Sequence, residues 1–219
     1  MRELRFGRKG ASKGQATGMV VFLHGYGADG ADLLGLAEVL APHLPGITFL
    51  APDAPELCRG AGFGYQWFPI PRMDGSSQAE AEAGLDAASV DLNAFLDARL
   101  ADDGLTPDRL ALVGFSQGAM MSMHVAPRRS QEVAGIVAIS GRLLRPEALT
   151  ADARVKPPVL LVHGDQDPVV PFESMSQAGD ALVQAGFPTF GHVMKGAGHT
   201  IAPDGLGVTL QFLKDRLSA

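Results

Sequence analysis

The chain has 219 residues, 46% of them hydrophobic and 19% charged, with 18 Lys and Arg against 24 Asp and Glu and a formal net charge of −6. That apolar content excludes a disordered chain, and the negative balance without a basic run excludes the phosphate-neutralising surface that nucleic-acid binding requires. The 27 Gly and 15 Pro follow no G-X-Y period, so they read as turn residues, and the length suits one domain, residues 1–219, with a sizeable core.

Residues 1–7 hold no apolar h-region of a secretory signal, no apolar run approaches the roughly 20 residues of a membrane span, and the single Cys58 has no intramolecular partner. These features predict a cytoplasmic protein without stable membrane insertion. Leu4 and Phe6 suggest a short edge strand, followed by an irregular stretch over 7–18. Apolar runs at 19–24, 47–51, 110–114, 135–140, 159–163 and 189–194, bounded by Gly, Pro or Asp, read as buried parallel strands. Between them lie helical patterns at 31–40, 79–100, 117–125, 175–184 and 206–217, with Asp29 placed to cap the first. Strands alternating with helices predict an open α/β sheet covered on both faces. The irregular stretches 52–77 and 141–157 follow strands, on the side where such sheets place ligand sites.

Gly114-Phe115-Ser116-Gln117-Gly118 lies between a predicted strand and a predicted helix, the setting of a G-x-S-x-G nucleophile elbow. Small residues two positions either side of the serine let strand and helix approach, and the turn aims the helix N-terminus at a developing oxyanion. Such a serine needs a base, and the base an orienting acid, met here in the order Ser, acid, His. His124 shares a helical face with Met120, Met121 and Met123 and reads as core; His163 and His192 lie in strands. His199, in the glycine-rich loop after the last strand, is the candidate base. Asp165 and Asp167 compete as the acid: Asp165 reads as a turn-former, while Pro168 holds Asp167 extended toward the histidine, so Asp167 is favoured. An oxyanion hole would take one backbone N–H from Gln117 and one from the loop 23–30, with Tyr26 as the candidate. That loop also spells G-x-G-x-x-G at Gly25, Gly27 and Gly30, with Asp53 downstream. Asp29 would stand where a pyrophosphate should bind, and a nucleotide site leaves the serine elbow unexplained, so the dinucleotide reading is set aside. No His-x-x-x-His or Cys-x-x-Cys spacing suggests a metal, and Cys58 reads as an inert small residue.

With these residues assembled, the chain resembles the α/β-hydrolase fold and, within it, the phospholipase/carboxylesterase family that includes acyl-protein thioesterases. The resemblance covers about residues 17–216. It rests on the 22–30 loop, Gln66-Trp67-Phe68, the Ser116 elbow, the run from His163 through Asp167 to Pro171, and Gly198-His199. It implies a mostly parallel sheet with helices on both faces and a triad of Ser116, Asp167 and His199, with the amides of Tyr26 and Gln117 as oxyanion donors. It also implies hydrolysis of small-molecule carboxylic esters or thioesters through an acyl-enzyme, with no cofactor. Short to medium acyl esters, lysophospholipids and acylated proteins are all within that class. Trp67 and Phe68 are expected as walls of the acyl or alcohol pocket. The stretch 7–18 leaves little room for a complete second strand, so the sheet is expected to be shortened there. The length leaves no room for a large lid, which predicts an accessible site. The competing reading is a non-catalytic small-molecule binding protein on the same fold; the intact Ser116, Asp167 and His199 weigh against it. Homodimerisation is left open.

Overall fold

The computed structural model describes residues 1–59 and 62–217. In chain order the strands are β1 (Phe6–Gly10), β2 (Gly18–Leu23), β3 (Ile47–Pro52), β4 (Glu56–Leu57), β5 (Tyr65–Gln66), β6 (Leu110–Phe115), β7 (Gly135–Ile139), β8 (Val159–Gly164) and β9 (Thr189–Met194). The helices are α1 (Gly30–Leu34), α2 (Leu36–Leu40), α3 (Pro71–Asp74), α4 (Gln78–Asp103), α5 (Gln117–Val125), α6 (Leu149–Asp152), α7 (Glu173–Gln184) and α8 (Pro203–Leu217). Among the described residues one seven-stranded sheet runs in the order β1-β3-β2-β6-β7-β8-β9, with β1 antiparallel to β3 and the other pairs parallel. The short β4 and β5 pair with each other alone.

Strands β2, β3 and β8 are buried along their whole length, as continuous apolar runs must be when helices cover both faces of a parallel sheet. On one face, α1, α2 and α8 bring Leu33, Leu40, Phe212 and Leu213 against Val20, Phe49 and Val113. On the other, α4, α5 and α7 bring Leu92, Met121 and Leu182 against Leu23, Leu112 and Leu161. Helix α4 starts where Ser77 and Glu80 form a reciprocal capping box and stops at Gly104, whose φ of 66° no other residue type adopts as cheaply.

The architecture follows the sequence expectation with local departures. The edge strand runs through Gly10, so only part of the 7–18 stretch is irregular; its pairing with β3 supplies an antiparallel edge. The single helix expected at 31–40 is two short ones jointed at Gly35, a residue that weakens a helix interior by about 1 kcal/mol relative to Ala. Asp29 caps the first of them in a reciprocal box with Asp32. Among the described residues no lid domain is inserted between the strands, and no helix is long and apolar enough to cross a membrane.

Candidate active site

Ser116 joins the end of β6 to the start of α5 at φ 55° and ψ −116°, a conformation that costs a non-glycine residue of order 1–3 kcal/mol. Its neighbours explain how the strain is tolerated. A Cβ on Gly118 would overlap the Leu23 carbonyl of β2, and one on Gly114 would overlap the backbone of Gly118. Without side chains at these two positions α5 lies directly on β2 and β6. The Ser116 N–H is fixed by the Ile139 carbonyl at 2.9 Å. Gln117 is the first residue of α5, so its N–H points out of the helix end with no helical acceptor.

The candidate acid and the candidate base come together from the loops after β8 and β9. His199 Nδ1 lies 2.7 Å from Asp167 Oδ2, and the Asp167 side chain is 0% exposed. The other oxygen, Oδ1, accepts the N–H groups of Val169 and Val170 at 2.8 and 2.9 Å. Burial opposes the charge on Asp167, yet the hydrogen bonds from His199, Val170 and Val169 hold its carboxyl below the usual carboxylate range. Since a carboxylate can only accept, Nδ1 of His199 carries the proton and Nε2 keeps its lone pair. Asp165 turns the same loop and also reaches across to accept the Gly196 N–H at 2.6 Å, tying the histidine loop to the acid loop.

From sequence alone His163 is only the end of a strand. Its Nε2 lies 3.0 Å from the Val170 carbonyl and 3.4 Å from Asp167 Oδ2, so the ring buttresses the carboxylate from behind. The signal was its place at the C-terminal end of a strand, four residues before Asp167. The other histidines stay apart: His124 is buried in α5, and His192 on β9 pairs with Asp204.

The loop carrying Tyr26 is pinned from two sides. Gly27 donates to the Tyr65 carbonyl at 2.9 Å and Tyr65 returns a bond to Ala28 at 2.8 Å. His24, fully buried, accepts the Ala54 N–H on Nε2 at 2.9 Å; its proton therefore sits on Nδ1, which donates to the Gly25 carbonyl at 2.8 Å. Burial lowers the His24 pKa and keeps the ring neutral. Asp53 is spent locally: it accepts the Gly30 N–H and pairs with Arg5, as a structural brace for α1.

A cavity of about 490 Å³ opens beside Ser116, walled by Phe68, Met120, Leu143 and Val170 and bordered by Arg72 and Arg142. A second, of about 390 Å³, includes Phe115 and Ile201 in its lining and shares Tyr26, Ser116 and His199 with the first. The serine thus stands where two spaces meet. Of the two aromatics expected as pocket walls, Phe68 lines the larger cavity and Trp67 lines neither of the two. Trp67 is 0% exposed, its indole N–H donates to the His24 carbonyl at 3.0 Å, and its backbone N–H donates to Gln117 Oε1 at 2.8 Å. The ring packs under the site rather than beside a substrate. Gln117 completes this bracket by donating from Nε2 to the Phe68 carbonyl at 2.7 Å. Among the described residues no group of three or more His, Cys, Asp or Glu could hold a metal ion.

A serine elbow at the end of a central parallel strand, with acid and histidine on the loops after the last two strands, defines an α/β hydrolase. Residues 10–217 match the sequence model of the phospholipase/carboxylesterase family, and the chain belongs to that family of carboxylic ester hydrolases. It is 30% identical to acyl-protein thioesterase 1 of Neurospora crassa, over 92% of this chain and 87% of that one. It is also 30% identical to acyl-protein thioesterase 1 of Saccharomyces cerevisiae, over 91% of this chain and 93% of that one. The crystal structure of esterase PE8 superposes with a TM-score of 0.92 at 41% identity, covering 99% of this chain and 100% of that one. Acyl-protein thioesterase 2 of Zea mays superposes with a TM-score of 0.78 at 25% identity, covering 98% and 99%.

Proposed function

We propose that this chain hydrolyses carboxylic esters and thioesters of short to medium acyl groups by two-step acyl transfer, with Ser116 as nucleophile, His199 as base and then acid, and Asp167 as the orienting acid. The observation that carries the reading is a buried carboxylate 2.7 Å from Nδ1 of His199, a residue that lines the same cavity as the strained Ser116. His199 Nε2 takes the Ser116 proton as Oγ attacks the acyl carbon, and Asp167 stabilises the imidazolium. The oxyanion accepts the N–H groups of Tyr26 and Gln117, each contributing about 3 kcal/mol to the transition state. His199 then protonates the departing alkoxide or thiolate. Water, deprotonated by the same nitrogen, cleaves the acyl-enzyme and restores Ser116.

A cavity of about 490 Å³ with apolar walls accommodates an acyl chain of this length, and the relatives named acyl-protein thioesterases support including thioesters. Lysophospholipids and acylated proteins fall within the same class. Ser116→Ala is expected to abolish both turnover of p-nitrophenyl butyrate and labelling by a fluorophosphonate. Retained labelling would remove Ser116 from its role. A receptor on the same fold would give no burst of p-nitrophenol from the native chain.

A further inference from the structure

Charged groups bordering the larger cavity are all basic apart from the site histidine: Arg72 comes from α3 and Arg142 from the loop after β7, and no Asp or Glu lies in the lining. This is unusual for a chain in which acidic residues outnumber basic ones. Several arginines elsewhere are matched with carboxylates, Arg2 with Asp91, Arg8 with Asp103, Arg128 with Asp152 and Arg145 with Asp86, whereas Arg109, Arg154 and Arg216 pair with none among the described residues. Arg72 and Arg142 have no ion-pair or hydrogen-bond partner among the described residues. The nearest carboxylate to Arg72 in sequence, Asp74, is already engaged by the N–H groups of Ile70 and Ser76 and the Tyr26 hydroxyl. Arg142 also borders an adjoining groove that includes Glu82 and Glu147, but pairs with neither. Both arginines are exposed and both border the space that opens onto Ser116, where their charge is not matched by a carboxylate among the described residues.

We infer that these arginines select ester or thioester substrates carrying a terminal oxyanion, a carboxylate or a phosphate, on the part that occupies the larger cavity. A guanidinium offers paired N–H donors that match either oxyanion, and a charge-assisted bond of this kind is about twice as strong as a neutral one. The apolar walls between, with Phe68, Met120 and Val170, would hold the methylene chain that separates the anion from the reacting carbonyl. The inference rests on Ser116 as the reacting group and adds a substrate class to it.

The test compares p-nitrophenyl adipate bearing its free carboxylate with the same ester capped as its methyl ester. A second pair, 4-(butyryloxy)phenyl phosphate and 4-(butyryloxy)phenol, carries the anion as phosphate on the leaving group. For at least one pair, kcat/KM should favour the charged member by about tenfold, the scale of one charge-assisted hydrogen bond, mainly through KM. The pair that shows the preference identifies the anion together with the side of the scissile bond on which it is recognised, carboxylate on the acyl group or phosphate on the leaving group. Arg142→Gln and Arg72→Gln should each reduce the charged-to-capped ratio several-fold and the double variant should bring it close to one, with Arg142→Lys retaining part of it. Arg154→Gln, an exposed arginine away from the site, should leave the ratio as in the native chain, which separates local recognition from general attraction. Titrating Ser116→Ala with the same pairs reads the binding preference without turnover. A preference there that vanishes in the arginine variants supports this inference even if Ser116 proves not to be the nucleophile. Equal binding and turnover of charged and capped members in both pairs, or a preference that survives the double variant, would overturn it.

Discussion

Asp167 divides its two oxygens between two sets of partners, and the division makes the role proposed for it in catalysis separable from its part in holding the loop. Oδ1 holds the acid loop by accepting from Val169 and Val170, while Oδ2 faces His199. Asp167→Asn can keep its carbonyl on the two loop amides, leaving its NH₂ toward His199. An NH₂ cannot accept from Nδ1–H, so the imidazole must move its proton to Nε2 and lose its basic nitrogen. The expected result is a fall in kcat of about 10³- to 10⁴-fold with little change in Tm. A drop in Tm comparable to that of a core substitution would instead show that the carboxylate charge is needed for folding. The same residue scale explains what sequence could and could not read. The choice of Asp167 over Asp165 followed from Pro168, a local constraint. The placement of Trp67 depended on His24 and Gln117, which lie 43 and 50 residues away in sequence, and no local pattern distinguishes an aromatic under a site from one lining it.

At the scale of elements, the elbow depends on how closely α5 rests on β2, and glycine substitutions can measure this. Gly118→Ala places a methyl group into the Leu23 carbonyl and forces α5 away from the sheet. Overpacking of this kind costs about 1–3 kcal/mol, which corresponds to a Tm lower by roughly 3–10 °C for a chain of this size. Activity should fall as well, because Ser116 is the N-cap of the displaced helix. The same substitution at Gly207 on α8, where a Cβ meets nothing within 4 Å, should be neutral or raise Tm slightly. Equal effects at the two positions would disprove the close-approach argument. The long apolar strands and α4, α5 and α7 were legible because their periodicity or continuity extends over many residues. The two-residue β4 and β5 and the single-turn α3 and α6 were not, since segments this short show no period and form only because the rest of the fold holds them.

Across the whole molecule the buried histidines set how stability responds to acid. His124 is 3% exposed, its Nδ1 has no hydrogen-bond partner, and burial together with Arg128 and Arg145 lowers its pKa from 6.5 to about 4. His24 is shifted in the same direction, with burial the largest cause. Well above pH 6.5 these rings are neutral in both the folded and unfolded chain and contribute no pH dependence. Below it the unfolded chain gains protons that the folded chain refuses, so stability falls as the pH drops from 6.5 toward 4. For His124 alone the loss between pH 7 and pH 5 is about 2 kcal/mol, from a folded pKa near 4 and an unfolded one near 6.5. The carboxylates act in a different window. Asp103 and Asp167 have lowered pKa values, their charged forms held by hydrogen bonds despite burial, so they maintain stability above the ordinary carboxylate range and release it only as the pH falls below about 4. Urea unfolding at pH 7 and pH 5 distinguishes the contributions. The native chain should lose more stability over that interval than His124→Leu, by about 2 kcal/mol, with His24 retaining a smaller slope in the variant. An identical loss in the two proteins would show that His124 is protonated in the folded chain at pH 5. Stabilisation of His124→Leu at pH 7 would come from a separate source, the removal of a buried polar nitrogen that nothing satisfies.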